Sequence, residues 1–256
     1  MRRFRAAVLA ASVMLLTATS VPAAAAPVTV RFPEGAAHGF LALRTRDGQE
    51  VAAGELVQTP RGDRVESRLV FRFKDGSLFD ETIVFTQTKV FTLLSYRAVQ
   101  RGPAFPEPSE VFFERAGGRY KATVGKDTVE GRIDLPADVY NGMIGLLLKN
   151  VAPAKTTGGQ LLAFTPTPRF LKIVAAAEGE DQFFVGSETR KAIRYFVKFD
   201  LGFAKGIFAK IMGKDVPNVR YWISSAAAPG FMKFEGAMFM HGPVWRIELA
   251  TPRWTK

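Results

Sequence analysis

Few residues in this sequence have the types and spacing that chemistry requires. The two histidines, His38 and His241, each lie beside a glycine near a turn and far apart in the chain. A metal site would need carboxylates beside them, and His241-Gly242-Pro243 reads as a turn. Asp75-Gly76-Ser77 is also a turn, and no Gly-x-Ser-x-Gly elbow is present. Gly117-Gly118 sits between short strands rather than ahead of a helix, so it is not a phosphate loop. Asp80 and Glu81 are adjacent on a strand and point to opposite faces, so they do not pair as acid and base. Glu81 shares its face with Ile83 and Phe85. A carboxylate on a buried face needs a partner, and an arginine of a neighbouring strand is the natural one. That favours a structural ion pair over a general base. Arg246 and Glu248, two apart on the last strand, read as a cross-strand charge ladder. The sequence assigns no catalytic residue, metal ligand or cofactor.

The elements around these residues are mainly strands. From Arg64 to Arg101 the chain alternates Val, Phe, Thr, Ile and Tyr with charge, and Asp75-Gly76 cuts the first run. This is the pattern of an antiparallel meander. Val65, Leu69, Phe71 and Phe73 share one face, and Glu66, Arg68 and Arg72 share the other, giving a sheet with one buried and one wet side. Lys89 to Gln100 is apolar on both faces, with Phe91, Leu93 and Val99 opposed by Val90, Leu94 and Tyr96. Something is therefore expected to cover its second face. Short strands follow, and Glu178-Gly179-Glu180-Asp181 reads as a break between two of them. Pro136 to Asn150 is the first helix candidate, with Pro136 and Asp138 as start signals. It is apolar all round, so it is buried or docks against a concave sheet. Phe203 to Met212, rimmed by Lys205 and Lys210, is the second, read as a lid rather than a membrane-surface helix. The fold expected is mainly β: one strongly curved antiparallel sheet, a half-barrel or barrel of ten to twelve strands, with two covering helices.

The N-terminus reads as a secretory leader. Arg2, Arg3 and Arg5 precede a short apolar run from Ala6 to Leu16 and small residues up to Ala26, with the cut placed after Ala25. The run is too short to span a bilayer. The general secretory route fits better than the twin-arginine one. Residues 26–256 are read as one domain. There is no cysteine, hence no disulfide and no lipid-anchoring residue. A periplasmic protein without anchor or membrane span is expected. The net charge of +11, less the three leader arginines, leaves +8. No run of five or more like charges occurs, so the basic balance is a solvated strand face and nucleic acid is not an expected partner. Transient contact with a membrane surface remains compatible with it.

The phrases Phe71-Arg72-Phe73-Lys74-Asp75-Gly76-Ser77 and Gly242-Pro243-Val244-Trp245-Arg246-Ile247-Glu248-Leu249, with the apolar stretch after Leu135-Pro136-Ala137-Asp138, resemble bacterial envelope proteins with a LolA/LolB-like half-barrel. The resemblance implies an apolar cavity that receives acyl chains; it carries no catalytic residues, and the lipid-anchoring cysteine of LolB is missing. With 22 Phe and about a dozen strands, the sheet is wider than its own side chains fill. The expected function is to bind or carry an apolar small molecule or lipid, lined by Phe71, Phe73, Phe85, Phe91, Met143, Ile144, Leu147 and Trp245. The alternatives are an enzyme built on Glu81 with Arg97 or Arg246 at the barrel mouth, and a structural partner of envelope proteins. The Pro136–Asn150 helix is expected to act as a movable lid.

Overall fold

The computed structural model describes residues 27–164, 167–185, 188–200, 219–239 and 242–250. Fourteen strands form one antiparallel sheet. The first eight run in a meander: β1 (Ala37–Arg44), β2 (Glu50–Arg61), β3 (Arg64–Phe73), β4 (Leu78–Gln87), β5 (Phe91–Arg101), β6 (Ser109–Glu114), β7 (Arg119–Val124) and β8 (Asp127–Arg132). One helix, α1 (Ile144–Asn150), follows. The second meander is β9 (Thr157–Phe164), β10 (Pro168–Val185), β11 (Glu188–Asp200), β12 (Val219–Ser224), β13 (Phe231–Gly236) and β14 (Trp245–Leu249). The two meanders join where β1 pairs β14, Leu43 opposite Ile247, so the order is 8-7-6-5-4-3-2-1-14-13-12-11-10-9.

The sheet is open, with β8 and β9 at its edges. The edges nevertheless meet through side chains. Tyr120 of β7 lies 5.6 Å from Phe164 of β9, ring to ring, and Phe113 of β6 lies 6.5 Å from it. Residues 133–143 form a strap over this seam. Its Tyr140 amide donates to the Gln160 carbonyl at 2.9 Å, and the Gln160 amide donates to Asp138 at 2.8 Å. The Arg115 guanidinium ties the strap to the other side, donating to the carbonyls of Leu93, Leu135 and Pro136 at 2.6–2.9 Å. Gly159 is where the strap comes closest: a Cβ there would stand 2.5 Å from the Tyr140 ring.

Alternation decides which side of each strand faces in. Val65, Phe71 and Phe73 are buried on the concave side, and Glu66, Arg68 and Arg72 are exposed, as their spacing predicts. The outward charges pair across strands. Arg68 holds Asp80 with two hydrogen bonds of 2.9 and 2.7 Å, Arg97 meets Glu110 at 2.7 Å, and Arg246 meets Glu235 at 3.2 Å. Apolar inside and charged outside is the reverse of a membrane-spanning barrel. Among the described residues no helix is long and apolar enough to cross a membrane.

The interior is filled by two apolar clusters. The first gathers Leu41, Leu43, Phe71, Phe73, Phe105, Tyr195, Ile223, Trp245 and Ile247 among others. The second gathers Val65, Phe85, Phe91, Leu93, Phe113, Tyr140, Met143 and Leu162 among others. The helix α1 lies between them, with Leu148 in the first and Leu147 in the second. This is the two-sided burial expected of a helix apolar all round.

Five expectations need correction. The strands number fourteen rather than ten to twelve, because every short run joins the one sheet. Residues 178–181 do not break the chain: β10 carries on through them with a bulge between Ala177 and Gly179. Helix α1 is half the length expected, since Gly142 adopts φ +70 and the residues before it pair with β9. Asp138, read as a helix-start charge, instead accepts a hydrogen bond from the Gln160 side chain at 2.8 Å. Strand β5 needs no second cover, because a bulge opposite Val84/Phe85 inserts Leu94 and switches the faces. Phe91 and Leu93 point in before it, and Tyr96 points in after it. Phe203–Met212 and His241 lie outside the described residues.

Candidate functional site

Strand β4 turns Phe79, Glu81, Ile83 and Phe85 toward the interior, and Glu81 is the single charged member of that row. The bulge in β5 brings Tyr96 to the same face, its ring stacked on Phe113 at 5.1 Å. The Tyr96 hydroxyl donates to Glu81 Oε1 at 2.9 Å. Oε2 has no hydrogen-bond partner among the described residues. It points at Gly142, where a Cβ would lie 3.2 Å from the carboxylate and 2.6 Å from Ile83. From the far side of the barrel β12 contributes Tyr221, packed edge-on against Phe234 at 5.0 Å. A Cβ at Gly145 would lie 3.6 Å from the Tyr221 ring. Strands β4 and β12 are six places apart in the sheet, so only its curvature brings Glu81 and Tyr221 together.

The partner of Glu81 is therefore a tyrosine, not the arginine expected. Arg97 and Arg246 are on the outer face with Glu110 and Glu235, and neither faces the interior. With no cation beside it, burial pushes the Glu81 carboxyl up to about 7, and the Tyr96 hydrogen bond offsets only part of that. Burial pushes Tyr221 up, and the nearby Glu81 charge adds to the rise. Burial raises Tyr96 in the same way, again with Glu81 adding to it.

Around this carboxylate the interior is not fully packed. Gly142 is exposed, and Glu81, Tyr96, Ile144, Gly145 and Tyr221 all keep accessible surface. Leu56 and Leu69, inward on β2 and β3, do so as well. Elsewhere the clusters are dense. Of the residues expected to line a ligand site, Phe71, Phe85, Phe91 and Met143 are 0–1% exposed, and Phe73, Leu147 and Trp245 are buried. Phe71, Phe73 and Trp245 stand in the first cluster, and Phe85, Phe91, Met143 and Leu147 in the second; Ile144 alone of the eight is only partly buried, packed against the first cluster. Alternation flagged Glu81 in the sequence. Nothing flagged Tyr221, which reaches the site across the barrel, or Gly142, whose role is its lack of a side chain.

A second concavity lies on the outer face, lined by Glu178, Arg194, Arg220, Trp222 and Glu235. Its charges satisfy one another: Arg194 and Arg220 both meet Glu178, at 3.4 and 3.0 Å. Among the described residues no group of three His, Cys, Asp or Glu is placed to hold a metal.

No family model matches the sequence, and no curated protein matches it. Among solved structures the chain is similar to the crystal structure of a beta-barrel-like protein of the domain of unknown function DUF1849 from Brucella abortus. The two share 9% identity at a TM-score of 0.45, over 86% of this chain and 97% of that one.

Proposed function

We propose that the protein binds an apolar small molecule or an acyl chain inside its curved sheet, and that it does no chemistry on it. The observation that supports this is the accessible surface left around Gly142, Ile144 and Tyr221, within walls that are otherwise apolar. The leader-like N-terminus fits action in the periplasm, and a carrier of envelope lipid is the role that reading favours. A polarity-sensitive neutral dye, N-phenyl-1-naphthylamine, tests it. Saturable fluorescence enhancement with the folded protein is expected, and its replacement by the bulk of Ile144→Trp should weaken it. A folded protein that gives no enhancement rules the reading out. Native mass spectrometry of protein taken from an envelope extract would then identify the occupant.

One observation favours the enzyme reading: a carboxyl held near neutrality beside two tyrosines has the properties of a general base. Its proposed arginine partners are on the wrong face, which leaves the binding reading ahead.

A further inference from the structure

We infer that the ligand carries a protonated amine head, seated on Glu81 Oε2 between Tyr96 and Tyr221, with its apolar body along Leu56, Leu69 and Ile144. This rests on the binding reading above and names the class of ligand. The argument begins with what Glu81 lacks. A carboxylate in apolar surroundings is costly unless it is paired. One oxygen is paired with Tyr96, and the other, which lies against Gly142, has no partner among the described residues. Outer-face carboxylates such as Asp80, Glu110 and Glu235 have arginine partners. Glu81 has no such partner among the described residues. An arriving ammonium supplies both the charge and the donor that are missing.

The neighbours fit the same head. Tyr221 offers its hydroxyl oxygen as an acceptor for a second N–H, and has no partner among the described residues. Gly142 leaves the approach clear, because any side chain there would stand against Glu81 and Ile83. A fatty acid is the wrong match, since its carboxylate would face the Glu81 charge. An alkylamine and an amine-bearing lipid headgroup present the same ammonium, and the experiment separates them.

Displacement of bound N-phenyl-1-naphthylamine from the full mature chain provides the test, with decylamine, decanol, decanoate and dihexanoyl phosphatidylethanolamine as competitors. At pH 8 decylamine is expected to displace the dye at about tenfold lower concentration than decanol, the scale of one hydrogen bond to a charged group. Decanoate should be weaker than both. If the phospholipid equals decylamine, a lipid headgroup is the source; if it does not, the ligand is a free amine. Glu81→Gln should bring the amine-to-alcohol ratio close to one. The wild-type ratio should also fall as the pH drops from 8.5 to 5.5, through the range where Glu81 takes up its proton. Tyr96 and Tyr221, the titratable groups facing Glu81 among the described residues, stay protonated across that range because burial raises both. This second measurement needs no variant and decides the matter if Glu81→Gln does not fold. Failure of the dye to bind overturns the binding reading and this one with it. Dye binding with decanoate as strong as decylamine, an amine preference kept in Glu81→Gln, or a ratio flat with pH overturns the amine alone.

Discussion

Glu81 sets both the stability and the selectivity expected at the scale of single residues. Its folded pKa, about 7, lies above the ordinary Glu value of roughly 4.3. Between those values the folded chain holds a proton that the unfolded chain has lost. Its contribution is therefore fully favourable below about pH 4.3 and is lost as the pH rises through 7. Glu81→Gln imitates the neutral acid, so it should melt higher than the wild type at pH 8 and no higher at pH 4. Thermal scans at the two pH values check this, with the difference between the proteins as the readout, since other carboxyls titrate in both. An acid that lowers stability at neutral pH is what a binding site accepts and a core does not. The outer-face pairs behave differently. In Asp80 the hydrogen bond from Arg68 holds the carboxyl below the usual range. Arg68 is over half exposed, so Arg68→Ala should cost less than about 1 kcal/mol. Phe71→Ala, by contrast, removes a wholly buried ring and should cost about 3–5 kcal/mol in urea titrations.

The strap and the short helix border the Glu81 site, through Gly142 and Gly145. Gly142 permits the turn between them with a positive φ that other residues adopt only under strain. Gly142→Ala also drives a methyl group to 2.6 Å from Ile83, so a loss of about 1–3 kcal/mol is expected, together with weaker dye binding. Arg115 fastens the strap to the β6 end of the sheet through the Leu135 and Pro136 carbonyls, while its Nε donates to Leu93 of β5. Arg115→Ala should leave the sheet folded while the strap opens more often. Hydrogen exchange would show this as faster exchange of the Tyr140 and Gln160 amides, with that of β1 and β14 unchanged. A mobile lid formed by the whole of Pro136–Asn150 is no longer the natural picture. Val139, Tyr140, Met143 and Leu147 are anchored in the core.

At the scale of the whole molecule the sheet is a curl whose edges meet without a hydrogen-bonded ladder. The seam is closed by Tyr120, Phe113 and Phe164 and by the strap. Aromatic contacts separate more readily than a ladder of backbone hydrogen bonds, which makes the seam a candidate entry for the ligand. Phe164→Ala should speed both association and release of the dye in stopped-flow measurements and change its Kd much less. A slower or unchanged rate would place the entry elsewhere.

The sequence by itself determined the strand-rich class, the wet and dry faces of β3, the face Glu81 shares with Ile83 and Phe85, and the apolar circumference of the helix. All of these follow from side-chain periods of 2 and 3.6, which are local properties of the chain. The tertiary structure decided the rest. It turned the double-faced run of β5 into a bulge that aims Tyr96 inward, because register depends on the partner strand. The same partnering carried β10 through residues 178–181 and drew Asp138–Tyr140 to the edge of β9 instead of into a helix. It also brought Tyr221 close enough to feel the Glu81 charge, a proximity between residues 140 positions apart that no spacing in the sequence encodes. Alternation says which way a residue points, and only the closure of the sheet says what it meets there.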